Sequence, residues 1–205
     1  IGPDHEEIRR RYVCADGVSV ERLTLDALVQ REPIGTANAV LAAEAWAGAD
    51  PFLVINGDNL YPVAAIRALV DLDEPGLPAF ERDALVRESN IPADRVASFA
   101  LLDVGDDGYL RKIVEKPGLE AMRAAGGSAL VSMNCWRFDA RIFAACRDVP
   151  VSSRGEYELP QAVGLALSRD VRFKVVRASG EVLDLSRRGD VAAVSARLAG
   201  REVKL

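Results

Sequence analysis

The stretch Phe52-Leu-Val-Ile-Asn-Gly-Asp-Asn59 decides the fold of this chain. Its four apolar residues, two of them β-branched, predict a strand buried on both faces, as in a parallel sheet. Asn56-Gly57 is a turn signal that ends this strand and places Asp58 in the loop at its carboxyl end. Ligands of open α/β sheets bind at that edge, where an isolated carboxylate is costly to desolvate.

Two explanations of Asp58 stay open at this point. The functional explanation is a ligand for a hard cation such as Mg²⁺. The structural explanation is a cap for the next helix, because Pro62 is a favourable first helical residue.

The composition restricts the class of protein. The 205 residues suffice for one domain with a sizeable core, and a content of 49% hydrophobic and 28% charged residues is ordinary for a soluble protein. The net charge of −5 argues against nucleic acid or an anionic membrane as the main partner. We see no signal peptide and no apolar run near the roughly 18 residues of a membrane span, so we expect a cytoplasmic protein.

Side chains of reactive types are few. The three cysteines have irregular spacing, which favours reduced, buried thiols over disulfides or metal ligands: Cys14, Cys135 and Cys146. The only histidine, His5, lies on a predicted first helix and is expected to be solvated, so Ser-His-Asp and Cys-His catalysis are not expected. Trp46 and Trp136 are interpreted as packing residues.

Strands and helices alternate along the chain, which predicts an α/β protein with a mixed, mostly parallel central sheet. Helices are predicted at 6–12, from 36, at 62–72, at 139–146, from 155 and at 187–198. Strands are predicted at 52–55, 96–104, 109–114, 129–138, 171–176 and 181–185, with a hairpin turn at 106–108. Residues 73–95 are expected to form a loop or lid excursion.

Two further polar motifs each allow two interpretations. Gly35-Thr36 supplies a hinge and an N-cap whose free N–H groups suit a ribose, base or phosphate, or it simply caps a helix. Glu115-Lys116 offers a carbohydrate-hydroxyl acceptor beside a phosphate-binding ammonium, or it is an exposed strand end. Neighbouring strand residues point to opposite faces unless Pro117 bends the chain there.

The ordered set of motifs resembles the sugar-1-phosphate nucleotidylyltransferases, the pyrophosphorylases that make nucleotide sugars. The matching motifs are Gly35-Thr-Ala-Asn-Ala-Val40, Asn56-Gly-Asp-Asn59, Ile113-Val-Glu-Lys-Pro117, Met133-Asn134, Gly155-Glu-Tyr-Glu-Leu159 and Asp184 before the last helix. No single motif is specific, but their order and separation are, across essentially the whole chain. The glucose-1-phosphate uridylyl- and thymidylyltransferases and the mannose-1-phosphate guanylyltransferases are the most similar members.

This resemblance implies a Rossmann-like, three-layer nucleotide-diphospho-sugar transferase fold. It implies an enzyme that joins a nucleoside triphosphate and a hexose 1-phosphate, releasing pyrophosphate, with Mg²⁺ as cofactor. UTP or dTTP with glucose 1-phosphate is the expected pair, and GTP with mannose 1-phosphate is the alternative. A homo-oligomer is compatible with this family.

The resemblance also assigns roles to residues. Asp58 and Asp184 match the carboxylates that hold Mg²⁺, and Asp58 and Lys116 are the expected catalytic residues. On the nucleotide side, Gln30 matches an amide that reads the base, and Gly35 matches a position where the backbone approaches the nucleoside closely. On the sugar side, Glu115 matches a ligand of a sugar hydroxyl and Asn134 a further sugar contact. Lys116 matches the ammonium group that binds the sugar phosphate. The remaining expected substrate-binding positions are Thr36, Ala37 and Gly57.

The chain also departs from the family pattern. The family begins with a strand and a Gly-rich loop containing an Arg, followed by a Lys, and none of this is present. We therefore expect residues 1–205 to be one N-terminally truncated catalytic domain, inactive and poorly stable alone. Ala100, Val182 and Ser186-Arg-Arg188 also differ from the family, which bears on sugar specificity more than on reaction type.

Two other classes of protein are alternatives to this enzyme family. A glycosyltransferase of related architecture should carry Asp-x-Asp at the strand end, and Leu60 disfavours it. A non-catalytic regulatory or binding subunit would keep the fold without the chemistry. Retention of Asp58, Lys116 and Asp184 together argues against that second possibility.

Overall fold

The computed structural model describes residues 1–13 and 24–201. The expectation of a buried thiol at Cys14 lies outside the described residues. Cys135 and Cys146 are buried as predicted, and burial raises the pKa of each thiol to about 12. Within the described residues, no helix combines the length and the apolar character needed to cross a membrane.

Helices and strands alternate as the sequence indicated. The helices are α1 (Glu6–Tyr12), α2 (Thr36–Leu41), α3 (Glu44–Ala47), α4 (Val63–Val70), α5 (Arg82–Glu88), α6 (Ala93–Val96), α7 (Gly118–Ala124), α8 (Arg141–Asp148), α9 (Leu159–Leu167) and α10 (Asp190–Leu198). The strands are β1 (Phe52–Val54), β2 (Asn59–Leu60), β3 (Gly76–Glu81), β4 (Ala100–Val104), β5 (Leu110–Val114), β6 (Leu130–Ser132), β7 (Trp136–Phe138), β8 (Lys174–Ala178) and β9 (Leu183–Asp184).

The main sheet has the order β1-β7-β3-β6-β4-β5, with β8 also paired to β3. The predicted mixed sheet is confirmed, but the expectation that it is mostly parallel is wrong for the described residues. Only β3 and β8 pair in parallel, and the other pairs are antiparallel. The physical reason is local for β4 and β5, because a tight turn at 105–108 can join only antiparallel neighbours.

The sheet carries helices on both faces, which makes three layers. Successive strand residues point to opposite sides. Leu77 and Ala79 therefore pack in one core with α2, α8 and α9, whereas Phe80 packs in a second core with α4, α5 and α6. Trp136 belongs to the first core and is fully buried, as predicted for a packing residue.

Residues 73–95 are not a lid, which corrects the prediction made for them. Gly76–Glu81 forms the central strand β3, which is paired on both sides and buried over its first five residues. Helices α5 and α6 follow it directly. The segment escaped recognition because Pro78 disfavours a central strand and because a strand buried on both faces shows no alternation of apolar and polar residues.

Strand β1 also differs from its prediction. Among the described residues it pairs with β7 alone, at the edge of the sheet, and its residues are half-buried rather than buried on both faces. A groove of about 430 Å³ follows this edge and is walled by α2, α3 and the segment 52–57. Trp46 lines that groove with 60% of its surface exposed, so it is not the packing residue we expected.

The predicted strands at 96–104 and 129–138 differ most in their course. The segment 96–104 begins as the end of α6 and becomes a strand only at Ala100. The segment 129–138 divides into β6 and β7, because Asn134 adopts a left-handed conformation with φ of 54°. Because of this break, the Asn134 side chain lines a cavity that is also lined by other predicted site residues.

Candidate active site

The two predicted metal-binding carboxylates lie together in the structure. A small two-stranded sheet brings them there, because β2 pairs with β9 so that Asn59 faces Asp184. The backbone N–H of Leu185 donates to the carbonyl of Asp58 at 2.8 Å, which continues this pairing by one residue. Ser186 completes the arrangement, since its hydroxyl lies 3.2 Å from Asp58 Oδ2 and also hydrogen-bonds Asp184 Oδ1.

Asp184 is held by its backbone as well as by its side chain. The amide group of Asn90 accepts from the Asp184 N–H at 2.8 Å and donates to the Asp184 carbonyl at 2.7 Å, as a neighbouring strand would. Asp184 itself is only 2% exposed. Its position is therefore fixed by the loop that follows α5, a region that the sequence alone assigned to a lid.

Arg95 on α6 compensates the buried charge of Asp184. Its guanidinium donates to Asp184 Oδ2 at 2.6 Å and to both carboxylate oxygens of Asp190 at 2.9 and 2.7 Å. These hydrogen bonds lower the pKa of Asp190 and raise that of Arg95. One oxygen of Asp184 is thus bound to Arg95, and the other faces Ser186 and Asp58.

A cavity of about 80 Å³ opens beside this acid pair, and its wall is rich in hydroxyl, amide and carboxyl groups. It is lined by Asn56, Asn59, Ser98, Phe99, Ala100, Glu115, Ser132, Met133, Asn134, Asp184 and Ser186. Many hydrogen-bonding groups around a small volume suit a ligand that carries several hydroxyls. Three of the predicted site residues, Glu115, Asn134 and Asp184, share this cavity.

Glu115 has an unusual proton affinity. Burial, and secondarily the nearby carboxylate of Glu158, raises the pKa of Glu115 to about 7, against an opposing effect of Arg154. At neutral pH the carboxyl group is therefore divided between its protonated and ionised forms. It can donate a hydrogen bond to a sugar hydroxyl in the first form and accept one in the second.

This raised pKa predicts a pH dependence of stability. Because the folded state binds the Glu115 proton more tightly than the unfolded state, its stabilising contribution is complete below the unfolded value of 4.5 and is lost as the pH rises through about 7. We expect thermal unfolding at pH 5 and pH 8 to show a larger loss of Tm for the wild type than for Glu115→Gln. The exposed Glu120→Gln is the control and should follow the wild type. Equal losses in all three proteins would contradict the assignment.

Lys116 and Arg154 meet at one carboxylate oxygen. Lys116 Nζ lies 3.1 Å, and Arg154 Nη1 3.3 Å, from Oε1 of the buried Glu158. Lys116 reaches this point because it adopts a left-handed φ of 46°, so the chain bends at the predicted place and Lys116 Nζ also lies 3.9 Å from Glu115. Glu158 therefore holds two cations side by side at the end of β5.

The Gly35-Thr36-Ala37 segment is bound to the start of α9. The N–H of Ala37 donates to the carbonyl of Tyr157 at 2.9 Å, and the Thr36 hydroxyl accepts from the N–H of Leu159 at the same distance. Thr36 thus caps α9 instead of its own helix. Gly35 has φ of 128°, and a Cβ there would lie 2.6 Å from the backbone nitrogen of Tyr157, so this position requires glycine.

Ala37, another predicted substrate-binding position, lies inside the core. Its side chain is fully buried and its N–H is already bound to Tyr157. Thr36, Gly57 and Asn134 do share a surface, because all three line the groove along β1. Gln30 lies apart from them, in a second cavity of about 420 Å³ on the other side of α2.

Several residues of the site were not recognised from the sequence. They are Asn38, Asn90, Arg95, Arg154 and Ser186, together with Glu158, which was explained by its place at a helix start. Glu158 and Ser186 lie inside or beside quoted motifs and were within reach of sequence reasoning. Arg95 and Asn90 contact Asp184 only through the fold, and nothing local marks them.

The model of a protein family described as nucleotidyl transferase matches residues 4–181. The chain belongs to the nucleotidyl transferase family. This confirms the family of enzymes predicted from the ordered motifs.

Relatives of this nucleotidyl transferase carry similar names. A UTP–glucose-1-phosphate uridylyltransferase, AglF of Haloferax volcanii, is 28% identical over 156 residues, which are 76% of this chain and 59% of that protein. A glucose-1-phosphate thymidylyltransferase of Streptomyces griseus is 28% identical over 169 residues, which are 80% of this chain and 44% of that protein. The chain thus spans about half the length of these curated relatives.

The fold is also that of known structures. A UDP-glucose pyrophosphorylase solved in complex with UDP-glucose superposes with a TM-score of 0.68 at 18% identity, covering 88% of this chain and 68% of that one. At this identity the likeness establishes the fold alone. The predicted nucleotide-diphospho-sugar transferase fold is confirmed.

Proposed function

We propose that this nucleotidyl transferase joins a nucleoside triphosphate to a hexose 1-phosphate and releases pyrophosphate, with UTP or dTTP and glucose 1-phosphate as the preferred pair. The observation that carries the proposal is the meeting of Asp58 and Asp184 at one hydroxyl, beside a cavity rich in hydroxyl and amide groups. The names of the two curated relatives support the choice of substrates.

The acid pair fits a divalent cation of the Mg²⁺ type. Asp58 Oδ2 and Asp184 Oδ1 contact the same Ser186 oxygen, whose single hydrogen can serve only one carboxylate at a time. Oxygen donors without thiolate or imidazole suit Mg²⁺ better than Zn²⁺. Among the described residues no three His, Cys, Asp or Glu side chains cluster for a metal, so substrate phosphates and water would complete the ligand set. Mg²⁺ bound there would neutralise negative charge on the transferred phosphoryl group.

The two cations on Glu158 fit the phosphate of the sugar substrate. Lys116 and Arg154 share the Glu158 carboxylate, and Arg154 also lies 3.3 Å from Glu156. Both side chains keep substantial exposure, with 39% of Lys116 and 51% of Arg154 accessible, so each can turn toward an anion without desolvating further. Glu115 and Asn134 in the adjacent cavity would then contact sugar hydroxyls.

The chemistry needs few groups from the protein. An oxygen of the sugar phosphate attacks the α-phosphorus in line and forms a new P–O bond, while the bond to the β-phosphate bridging oxygen breaks and its electron pair leaves with pyrophosphate. The nucleophile is already an anion, so no general base is required. The main barrier is repulsion between two polyanions, and Lys116 and Arg154 reduce it by holding one of them.

The test is a matrix of triphosphates and hexose 1-phosphates, incubated with the full-length protein and Mg²⁺ while pyrophosphate release is followed. We expect release that requires both substrates and stops when EDTA is added. Tight binding of a nucleotide sugar without release from any pair would favour the non-catalytic binding protein instead.

A further inference from the structure

Ser186 holds a hydroxyl group between the two carboxylates of the site. Its Oγ lies 3.2 Å from Asp58 Oδ2 and hydrogen-bonds Asp184 Oδ1. The backbone N–H of Ser186 donates to the same Asp184 oxygen at 3.1 Å, and Asp184 is only 2% exposed. Ser186 itself is exposed and lines the cavity that Glu115 and Asn134 share. A buried residue therefore fixes the Ser186 oxygen at the entrance of the site.

The two carboxylates differ in how their charge is compensated. Asp184 Oδ2 accepts from Arg95, and Asp184 Oδ1 accepts from the Ser186 N–H whichever way the hydroxyl turns. Asp58 is exposed, and among the described residues no Lys or Arg pairs with it. A cation is therefore attracted most to the Asp58 side of the hydroxyl, where the negative charge is uncompensated and water can complete its ligand set.

The hydroxyl of Ser186 cannot satisfy both acids by hydrogen bonding. It has one hydrogen and two lone pairs, so it donates to one carboxylate and turns a lone pair toward the other. That second contact brings two electron-rich oxygens together. A cation between Ser186 Oγ and Asp58 Oδ2 removes the conflict, because both oxygens become its ligands while the hydrogen stays on Asp184.

The separation of the two oxygens fits such a pair of ligands. Mg²⁺ binds oxygen in a near-ideal octahedron at about 2.0–2.1 Å, so two neighbouring ligand oxygens lie about 3.0 Å apart. Asp58 Oδ2 and Ser186 Oγ are 3.2 Å apart. Both can therefore bind one cation with little movement of either side chain.

We propose that Ser186 is a direct ligand of the divalent cation, a third oxygen beside Asp58 whose proton is held by Asp184. This inference rests on the proposed function and adds a residue to its metal site. Position 186 is one at which the chain departs from the family pattern, so the resemblance does not imply this ligand. A neutral hydroxyl oxygen is a hard ligand, which suits Mg²⁺ or Mn²⁺ and disfavours a soft ion such as Cd²⁺.

A change of ligand type at position 186 tests the assignment. Dissociation constants are measured for the full-length protein without nucleotide, for Mn²⁺ by its electron paramagnetic resonance signal and for Cd²⁺ by calorimetry. Ser186→Ala removes the oxygen and should weaken Mn²⁺ binding about tenfold. Ser186→Cys supplies a soft sulfur instead. It should weaken Mn²⁺ binding similarly and bind Cd²⁺ at least about tenfold more tightly than the wild type, with a sulfur-to-cadmium charge-transfer band in the ultraviolet.

Ser98→Cys is the matched control. Ser98 is exposed and lines the same cavity, and among the described residues its hydroxyl contacts neither Asp58 nor Asp184. This variant should keep the wild-type affinities for both metals. All three variants change exposed side chains, so each should unfold within a few degrees of the wild type.

The outcomes separate this inference from the proposed function. If the wild type binds no Mn²⁺, the metal site of the proposed function fails and the Ser186 ligand fails with it. If Asp58→Asn weakens Mn²⁺ binding but Ser186→Ala does not, the metal site stands and Ser186 only orders the turn. Direct ligation is also overturned if Ser186→Cys loses Mn²⁺ without gaining Cd²⁺, or if Ser98→Cys gains Cd²⁺ equally.

Discussion

Replacement of Asp58 by Asn should lower the rate of pyrophosphate release at least ~100-fold. Asn keeps the shape of the side chain but removes one of the two charges that face Ser186, so the remaining carboxylate, Asp184, already bound to Arg95, attracts a cation weakly. The rate is measured with saturating triphosphate and sugar phosphate. Binding of Mn²⁺, followed by its electron paramagnetic resonance signal, should weaken in parallel.

Asp50→Asn is the control for this prediction. Asp50 is also exposed and lies just before β1, at the end of the strand opposite to Asp58. It should leave the rate and the Mn²⁺ affinity unchanged. If Asp58→Asn keeps Mn²⁺ affinity and activity, Asp58 is only a structural residue of the loop, which was the alternative open from the sequence.

Replacement of Arg95 by Met should lower the stability of the fold far more than replacement of an arginine in an exposed ion pair. The side chain of Arg95 is 10% exposed, and its removal leaves the buried carboxylate of Asp184 without a cation. Breaking a buried ion pair by removing one partner costs about 3–5 kcal/mol. For a protein of this size that corresponds to a fall in Tm of about 10 °C, measured by calorimetry or circular dichroism.

Arg147→Met provides a matched comparison. Arg147 pairs with Glu44 at 2.6 Å, the same distance as Arg95 and Asp184, but its side chain is 53% exposed. Exposed pairs contribute about 0–1 kcal/mol, so this variant should unfold within a few degrees of the wild type. Similar shifts for the two variants would show that Asp184 does not depend on Arg95.

The sequence predicted the parts of the site that sit within single motifs. Asp58 follows a turn signal at a strand end, and Glu115-Lys116 follows a strand beside a proline, so each motif could be interpreted locally. The interpretation of Asp58 as a metal ligand and of Lys116 as a phosphate ligand stays a prediction. The structure adds that Asp58 and Asp184 contact the same Ser186 hydroxyl and that Lys116 pairs with Glu158.

The errors have a common cause. The sequence predicts a loop or lid at 73–95 because Pro78 and the lack of alternation conceal a strand that is buried on both faces. The prediction of a mostly parallel sheet depends on the alternation of strands and helices alone. Apart from the β4–β5 hairpin, neither property is local, because strand pairing depends on which distant segments meet.

The sequence alone determined the alternating α/β organisation, the strand end that carries Asp58 and, through the order of its motifs, the family. These features depend on short-range patterns of hydrophobicity and turn residues. Only the tertiary structure decided that β2 and β9 pair, and thereby that Asp58, Asp184 and Ser186 meet. It also decided that Arg95 compensates Asp184 and that the Gln30 amide donates to the Gly35 carbonyl. Such contacts join residues far apart in the chain, and a hydrogen bond or ion pair between them leaves no periodic signal in the sequence.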